Sequence, residues 1–238
     1  MSGADDEPTD RLLTPYDEFP VHQTPRPFCE IPATDYAWDD GYFFGVYSAD
    51  DEAFLFTGLR VSPNSDVVGA YAGICIAGIQ HTVRLSRVWR PDFSTRVGPL
   101  SIGFTEPLER IHLAFLPEVG RLRFDLDWVA LAPPFLEAHH QATSSGRRTT
   151  DQSRYVQCGA PKGWIEFDGR RFEVEPGAWR GSRDHSWGLY EERKPLGGHT
   201  EHLPPGRSEG ARRALRFWMP FQTDRYSGFF HVHEGEDG

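Results

Sequence analysis

The residues best suited to chemistry lie in one short segment, residues 181–188, which reads Gly-Ser-Arg-Asp-His-Ser-Trp-Gly. Asp184, His185 and Ser186 are the residue types of a hydrolase triad, in which an imidazole lies between a carboxylate and a nucleophilic hydroxyl. Here they are consecutive, and side chains alternate faces along a strand, so His185 would point away from both neighbours. The sequence therefore argues against a serine nucleophile at Ser186.

The same alternation places Arg183, His185 and Trp187 on one face of a strand, with Asp184 and Ser186 on the other. If the first face lines a cavity, it presents a cation, a titratable imidazole and an aromatic surface, which makes Arg183 and Trp187 candidate ligand-binding residues. A structural role fits equally well, because an Arg–Asp pair can join neighbouring elements through charge-assisted hydrogen bonds and a tryptophan can close a barrel end. Both interpretations stay open at this point.

Other polar candidates carry less weight. His231 and His233 share a strand face, but no third ligand is evident nearby, so we predict no metal site. No cofactor is predicted either. Trp218, in the preceding strand, is a further candidate ligand-binding residue.

Charge and composition narrow the classes of partner. The 238 residues include 35 acidic and 25 basic side chains, a formal net charge of −10. This balance argues against a nucleic-acid surface, which needs clustered Lys and Arg, and against binding to an anionic membrane. The longest weakly polar run, residues 67–79, is too short to span a bilayer, so no stable membrane insertion is expected. Three isolated cysteines and an acidic N-terminus predict a cytoplasmic location. The oligomeric state is left open.

The elements that would position these residues are short strands. The chain has 17 Phe, 24 Gly and 19 Pro, a composition that favours strands and tight turns. Residues 122–128 give the clearest pattern, since apolar residues occupy every second position. Strands are also predicted at 42–48, 53–61, 67–79, 81–89, 111–116, 155–158, 163–167, 171–174, 215–221 and 227–233, and a short helix at 135–141. The pattern predicts an all-β, antiparallel sandwich or barrel.

Composition divides the chain into a predicted arm, two β units and a linker. Residues 1–30 are polar and proline-rich and are expected to be extended. Residues 31–143 hold the first β domain, residues 144–153 a small, polar linker, and residues 154–238 the start of a second β domain. Residues 191–213 are predicted to be a polar insertion in the second unit. So few strands in that unit predict either a truncated chain or a partial sheet leaning on the first.

Four segments carry a resemblance to a known group of proteins: residues 59–64, 83–87, 97–100 and 183–188. With them the chain resembles the two-domain calycin proteins, which include AttH-like proteins of unknown role and, more distantly, hydroxyneurosporene synthases (carotenoid 1,2-hydratases). The resemblance implies lipocalin-like barrels, the second incomplete here because relatives usually continue further. Many relatives carry an Arg soon after the Trp-Gly pair, where this chain has Leu-Tyr, so the site is expected to differ there.

The resemblance also implies a chemistry. Carotenoid hydratases add water across an isolated alkene, which requires an acid to protonate carbon and an aromatic surface to stabilise the cation. By resemblance, His185 and Trp187 match a His-x-Trp element of such a site. Asp184 is the first candidate for the acid, although an ideal strand turns it to the other face, and Asp224 is the second.

Three functions from different classes follow from these observations. The first is binding of a hydrophobic small molecule, such as an isoprenoid, steroid or lipid, in a lipocalin-like cavity. The second is a cofactor-independent, hydratase- or isomerase-like enzyme acting on such a molecule. The third is an accessory domain without a ligand.

Overall fold

The computed structural model describes residues 18, 20, 24–48, 50, 53–90, 92–144, 146–190, 216–223 and 225–233. Within them, no helix has the length and apolar character that crossing a membrane requires. The strands are β1 (Trp38–Ser48), β2 (Ala53–Ser62), β3 (Val67–Ile76), β4 (Ile79–Val88), β5 (Arg96–Val97), β6 (Leu100–Glu106), β7 (Arg110–Phe115), β8 (Leu122–Ala130), β9 (Phe135–Leu136), β10 (His140–Ser144), β11 (Arg147–Phe167), β12 (Arg170–Val174), β13 (Trp179–Leu189), β14 (Arg216–Gln222) and β15 (Ser227–His233).

Strands β1 to β13 form one antiparallel sheet that curls into a nearly closed barrel. Its order is β4-β3-β2-β1-β13-β11-β8-β7-β6-β5, and β9, β10 and β12 also pair with β11. The two end strands of this order, β4 and β5, lie close to each other. The Arg87 guanidinium of β4 donates a hydrogen bond of 2.8 Å to the Arg96 carbonyl of β5. The predicted all-β, antiparallel barrel is confirmed.

The inside of the barrel is filled by side chains that alternate along the strands. In β8, Leu122, Phe124, Leu126 and Trp128 are all buried, as their spacing predicts. The indole of Trp128 packs edge-on against the Phe44 ring of β1, with 6.2 Å between ring centroids. These residues belong to one continuous hydrophobic cluster, so the core lies inside the barrel rather than between two layers.

The segment predicted as an interdomain linker is mostly strand. Residues 147–153 begin β11, which pairs with β13 over residues 151–159 and with β8 over residues 159–167. Small polar side chains suggested a linker, but ladder hydrogen bonds are made by the backbone and are available to any residue except proline. The assignment of the chain to two units stays a prediction.

Of two further predicted segments, one differs from the structure and the other lies outside the described residues. The short helix predicted at residues 135–141 is wrong: β9 pairs there with Tyr155 and Val156 of β11, and β10 starts at His140. An exposed strand edge offered that segment backbone partners that its own sequence does not reveal. The predicted insertion at residues 191–213 lies outside the described residues, as does most of the predicted arm.

The last two strands confirm the predicted C-terminal strand pair. β14 and β15 form a separate two-stranded antiparallel sheet, with Arg216 opposite His233 and Gln222 opposite Ser227. The side of this hairpin that carries Trp218 faces the barrel, since the Trp218 ring lies edge-on to Phe43 of β1 at 6.4 Å. A two-stranded sheet is marginally stable alone, so its position depends on these contacts with the barrel.

Trp128 makes the barrel core sensitive to glycine substitutions in β11. A Cβ on Gly159 would overlap the Trp128 ring, whereas a Cβ on Gly69 in β3 would meet no atom within 4 Å. We expect Gly159→Ala to lower the free energy of unfolding by about 1–3 kcal/mol in urea denaturation, because of overpacking. Gly69→Ala is the matched control, with an expected change within about 0.5 kcal/mol. Equal stability of the two variants would contradict the packing of Trp128 against β11.

Candidate functional site

The 181–188 segment lies in β13, in the middle of the sheet, between β1 and β11. The register places Phe44 and Gln157 beside Arg183, and Tyr42 and Tyr155 beside His185. Directly paired residues of antiparallel strands point to the same side of a sheet. Because Phe44 is part of the core, this side is the inside of the barrel. We call the group on it the inner-face cluster; its members are Asp40, Tyr42, Tyr155, Gln157, Arg183, His185 and Trp187.

Arg183 is buried in the barrel with 0% of its surface exposed. Its guanidinium lies over the rings of Trp128, at 5.2 Å, and Tyr155, at 5.1 Å. Its Nε and Nη2 donate hydrogen bonds of 2.9 and 2.6 Å to the Gln157 side-chain oxygen. Among the described residues no carboxylate forms an ion pair with it, and burial lowers the pKa of this guanidinium. A neutral amide and two aromatic faces therefore hold a buried cation.

His185 joins this buried cation to a carboxylate near the surface. Its Nε2 lies 2.7 Å from Asp40 Oδ1, and its Nδ1 lies 3.2 Å from the Tyr155 hydroxyl. Arg183 Nη1 donates a hydrogen bond of 3.3 Å to the same hydroxyl. Burial raises the pKa of Tyr155, and the charge of Arg183 opposes that rise. We call the chain of contacts Asp40–His185–Tyr155–Arg183 the polar relay.

Aromatic rings surround the polar relay. The His185 imidazole lies 4.2 Å from the Tyr42 ring and 5.1 Å from the Trp187 ring, measured between centroids. Tyr155 lies 6.3 Å from Trp187, and Phe104 of β6 lies 5.1 Å from Tyr42. The side chains of His185 and Asp40 are 17% and 40% exposed, so this end of the cluster reaches solvent. The arrangement combines apolar walls with a few hydrogen-bonding groups, the usual make-up of a small-molecule site.

Asp184 and Ser186 point to the outer face of the barrel, as strand alternation predicts. Arg60 of β2 donates a hydrogen bond of 3.3 Å to the Ser186 hydroxyl and forms an ion pair with Asp39. Burial raises the pKa of Asp184, and the nearby cations Arg154 and Arg60 oppose that rise. A hydrolase triad is therefore not formed within residues 184–186, because His185 lies on the other side of the sheet.

The predicted site residues thus separate into two groups. Arg183, His185 and Trp187 come together on the inner face. Asp184 lies on the outer face, and Trp218 contacts that face from the β14–β15 hairpin. Asp224, the second candidate for the acid, lies outside the described residues.

Four residues of the inner-face cluster are not among the predicted site residues: Asp40, Tyr42, Tyr155 and Gln157. They come from β1 and β11, which are far from residues 181–188 along the chain. Strand periodicity could have placed each on a face of its own strand. It could not have paired those strands with β13, because register across distant strands is set by tertiary packing.

Comparison with known protein families assigns the chain to one of them. A family described as "Family of unknown function (DUF8625)" matches residues 13–238. The chain belongs to this family. No curated protein matches its sequence.

Solved structures resemble this DUF8625 member in fold. An AttH-like protein from Nitrosomonas europaea superposes with a TM-score of 0.51 and 11% identity, over 69% of this chain and 57% of its own. Kievitone hydratase from Nectria haematococca gives 0.47 and 13%, over 62% and 47%. CghA in complex with Sch210972 gives 0.39 and 14%, over 65% and 47%. The chain therefore spans about half the length of these proteins.

The AttH comparison shows a shared fold. Its identity with the DUF8625 chain is too low to carry more than that. The expected resemblance to AttH-like, lipocalin-like barrel proteins is confirmed at this level. The more distant resemblance to hydroxyneurosporene synthases stays a prediction.

The partly buried Asp184 gives the stability of the fold a testable pH dependence. Its pKa is raised above the ordinary value of 3.8, so its ionised form is less stable in the folded than in the unfolded chain. The free energy of unfolding that the neutral Asp184 carboxyl contributes is therefore fully present below pH 3.8. It is lost as the pH rises through the folded-state pKa. We expect Asp184→Asn to raise the free energy of unfolding at neutral pH, and the gain to disappear at about pH 4 and below.

Urea denaturation across pH measures this difference. Asp127→Asn, at an exposed position of β8, is the matched control and is expected to give no gain. Asp184→Asn proving less stable than the native chain at neutral pH would contradict the expectation, because the ionised carboxylate would then stabilise the fold through Arg60 and Arg154.

Proposed function

We propose that this protein binds a hydrophobic small molecule, such as an isoprenoid, steroid or lipid, at the inner-face cluster. The observation that carries the proposal is the ring of aromatic side chains around the polar relay. Tyr42, Tyr155 and Trp187 lie close to the His185 imidazole and supply apolar contact area. Aromatic rings contribute large contact areas with well-defined geometry, which suits recognition of rigid apolar molecules.

Packing limits where the ligand can bind. Phe44, Phe124 and Trp128 fill the barrel behind Arg183 and are fully buried. A ligand that entered deep into the barrel would have to displace this core. The open end, where Asp40 and His185 are partly exposed, needs no such displacement. We therefore place the ligand across the rings of Trp187 and Tyr42 at that end of the barrel.

A hydrophobic ligand bound there would meet few polar groups. The Tyr155 hydroxyl and the His185 imidazole are the members of the polar relay that combine hydrogen-bonding capacity with aromatic neighbours. A hydroxyl or carbonyl group on the ligand would pair with them. A ligand without such a group would leave the polar relay bonded as it is and bind through its apolar surface alone.

A second candidate is a hydratase- or isomerase-like enzyme, and the polar relay favours it. A carboxylate, an imidazole and a phenol connected in series can move a proton between solvent and the aromatic enclosure. In hydration, a relay acid would protonate one alkene carbon, water would attack the resulting cation, and that water would return a proton to the relay. The aromatic faces would stabilise the cation. Asp184 would act from the other side of the sheet, so Tyr155 and His185 are better placed than Asp184 for this role.

The remaining partner and location proposals rest on the sequence. We propose a cytoplasmic protein that does not bind nucleic acid and does not insert stably into membranes. Free thiols at Cys29, Cys75 and Cys158 support a reducing compartment, since an oxidising one favours disulfides.

Retinol, an isoprenoid alcohol, is a suitable probe for the binding proposal. We expect Trp187→Ala to weaken retinol binding roughly tenfold or more in a fluorescence titration, because it removes a large aromatic contact. Trp164→Ala is the matched control: Trp164 lies in the distant half of β11, under the Arg171 guanidinium, and its loss should leave the affinity unchanged. Equal affinity of both variants would contradict binding at the inner-face cluster, and no retinol binding to the native chain would favour an accessory domain.

Tyr155→Phe separates the binder from the enzyme. Loss of one hydroxyl should weaken retinol binding only about fivefold, the equivalent of roughly 1 kcal/mol. For an enzyme, the same variant should abolish conversion of squalene, an acyclic isoprenoid alkene, to an alcohol that carries ¹⁸O from labelled water. Conversion that persists in Tyr155→Phe and in His185→Gln would contradict the proton-transfer role, and no conversion by the native chain would leave binding as the supported function.

A further inference from the structure

A cavity lies on the outer face of the barrel, on the opposite side of the sheet from the inner-face cluster. Its volume is about 550 Å³, within the range typical of small-molecule sites. One wall is the outer face of β1, β2, β3 and β13, and the other is the β14–β15 hairpin, through Trp218 and Pro220. The proposed function makes no use of this cavity.

The hairpin is fixed to the barrel at its turn end. Gln222 donates hydrogen bonds from its side-chain nitrogen to the carbonyl oxygens of Gly181, at 2.7 Å, and Gly159, at 3.2 Å. The Cys158 sulfur lies 3.8 Å from the carbonyl oxygen of Phe221 and 3.7 Å from that of Gly228, so its single S–H can donate to either. These contacts hold the hairpin against the barrel, so the cavity is bounded by two anchored walls.

Aromatic side chains make up much of the barrel wall. Tyr47 pairs with Phe54, and Phe54 pairs with Cys75, so the three share the outer face across β1, β2 and β3. The rings of Phe43 and Phe54 extend over Gly45, where a Cβ would lie only 3.3 and 3.1 Å from them. A residue larger than glycine would push both rings outward, so Gly45 keeps them flat against the sheet.

The polar groups of the cavity are few and uncharged. They belong to Tyr47, Ser48, Cys75, Ser182 and Trp218, and Ser182 is 3% exposed. Burial raises the pKa of Tyr47, which keeps the phenol neutral at physiological pH. Among the described residues that line the cavity, none is Asp, Glu, Lys or Arg. A charged ligand would lose its hydration there without gaining a counter-ion, so the chemistry favours a neutral one.

We propose that this cavity is a second binding site, which takes one neutral, ring-containing hydrophobic molecule that bears a hydroxyl or carbonyl group. The rings of Phe43, Phe54 and Trp218 contact the flat faces of the ligand. The hydroxyls of Tyr47 and Ser182 pair with its polar group. The inference is independent of the proposed function, because the two sites lie on opposite faces of β13.

Cys75 provides a direct readout of this site. Its thiol lines the cavity, whereas Cys29 and Cys158 are buried, with 0% and 3% of their surface exposed. The probe is 2-naphthol, a neutral fused-ring molecule with one hydroxyl. With saturating 2-naphthol we expect iodoacetamide to alkylate Cys75 of the native chain roughly ten times more slowly or less, measured by peptide mass spectrometry. An unchanged alkylation rate would overturn the proposal, and so would a Cys75 that does not react even without the probe.

Three variants test where the protection of Cys75 arises. Trp218→Ala should weaken 2-naphthol binding roughly tenfold or more by calorimetry and remove the protection of Cys75. Phe230→Ala is the matched control: Phe230 lies on the hairpin side that faces away from the barrel and is 52% exposed, so protection should persist. His185→Gln, which alters the inner-face cluster, should also keep it, which separates the two sites. Protection that survives Trp218→Ala, or fails in His185→Gln, would overturn the assignment.

Discussion

The inner-face cluster depends on one constraint: Arg183 is buried inside the barrel, and among the described residues no carboxylate forms an ion pair with it. A buried cation must be compensated locally, and here Gln157, Tyr155 and the Trp128 ring do so. The indole has room for this contact because Gly159 and Gly181 carry no side chains beneath it. The core, the two glycines and the polar relay are thus parts of one arrangement.

Strand alternation then explains why one short motif serves two environments. Arg183 and His185 face the barrel interior, while Asp184 faces Arg60 and Arg154 on the outside. A central strand paired on both edges cannot shift register without moving every one of these side chains to the wrong face. Residues 181–188 therefore form one continuous motif in the sequence, although their side chains belong to the inner and outer faces of the barrel.

Much of the fold could be predicted from local patterns, and much of the site could not. The alternation in residues 122–128 and the faces of residues 183–187 follow from a period of two, which tertiary packing preserves. The same period could place Asp40 and Tyr155 on a face of their own strands but not beside His185, since they meet His185 only through pairing of distant strands. Residues 147–153 were predicted to belong to a linker because their side chains are small and polar. They form a strand instead, since strand pairing there is made by the backbone.

The most direct test of the account is an NMR titration with retinol, observing the histidine imidazole and tryptophan indole nitrogens after ¹⁵N labelling. Ligand binding at the open end of the barrel predicts shifts for His185 and Trp187, with the buried Trp128 indole little affected. No shift at His185 and Trp187 while retinol binds elsewhere, for example with changes confined to Trp218, would contradict the inner-face cluster as the ligand site.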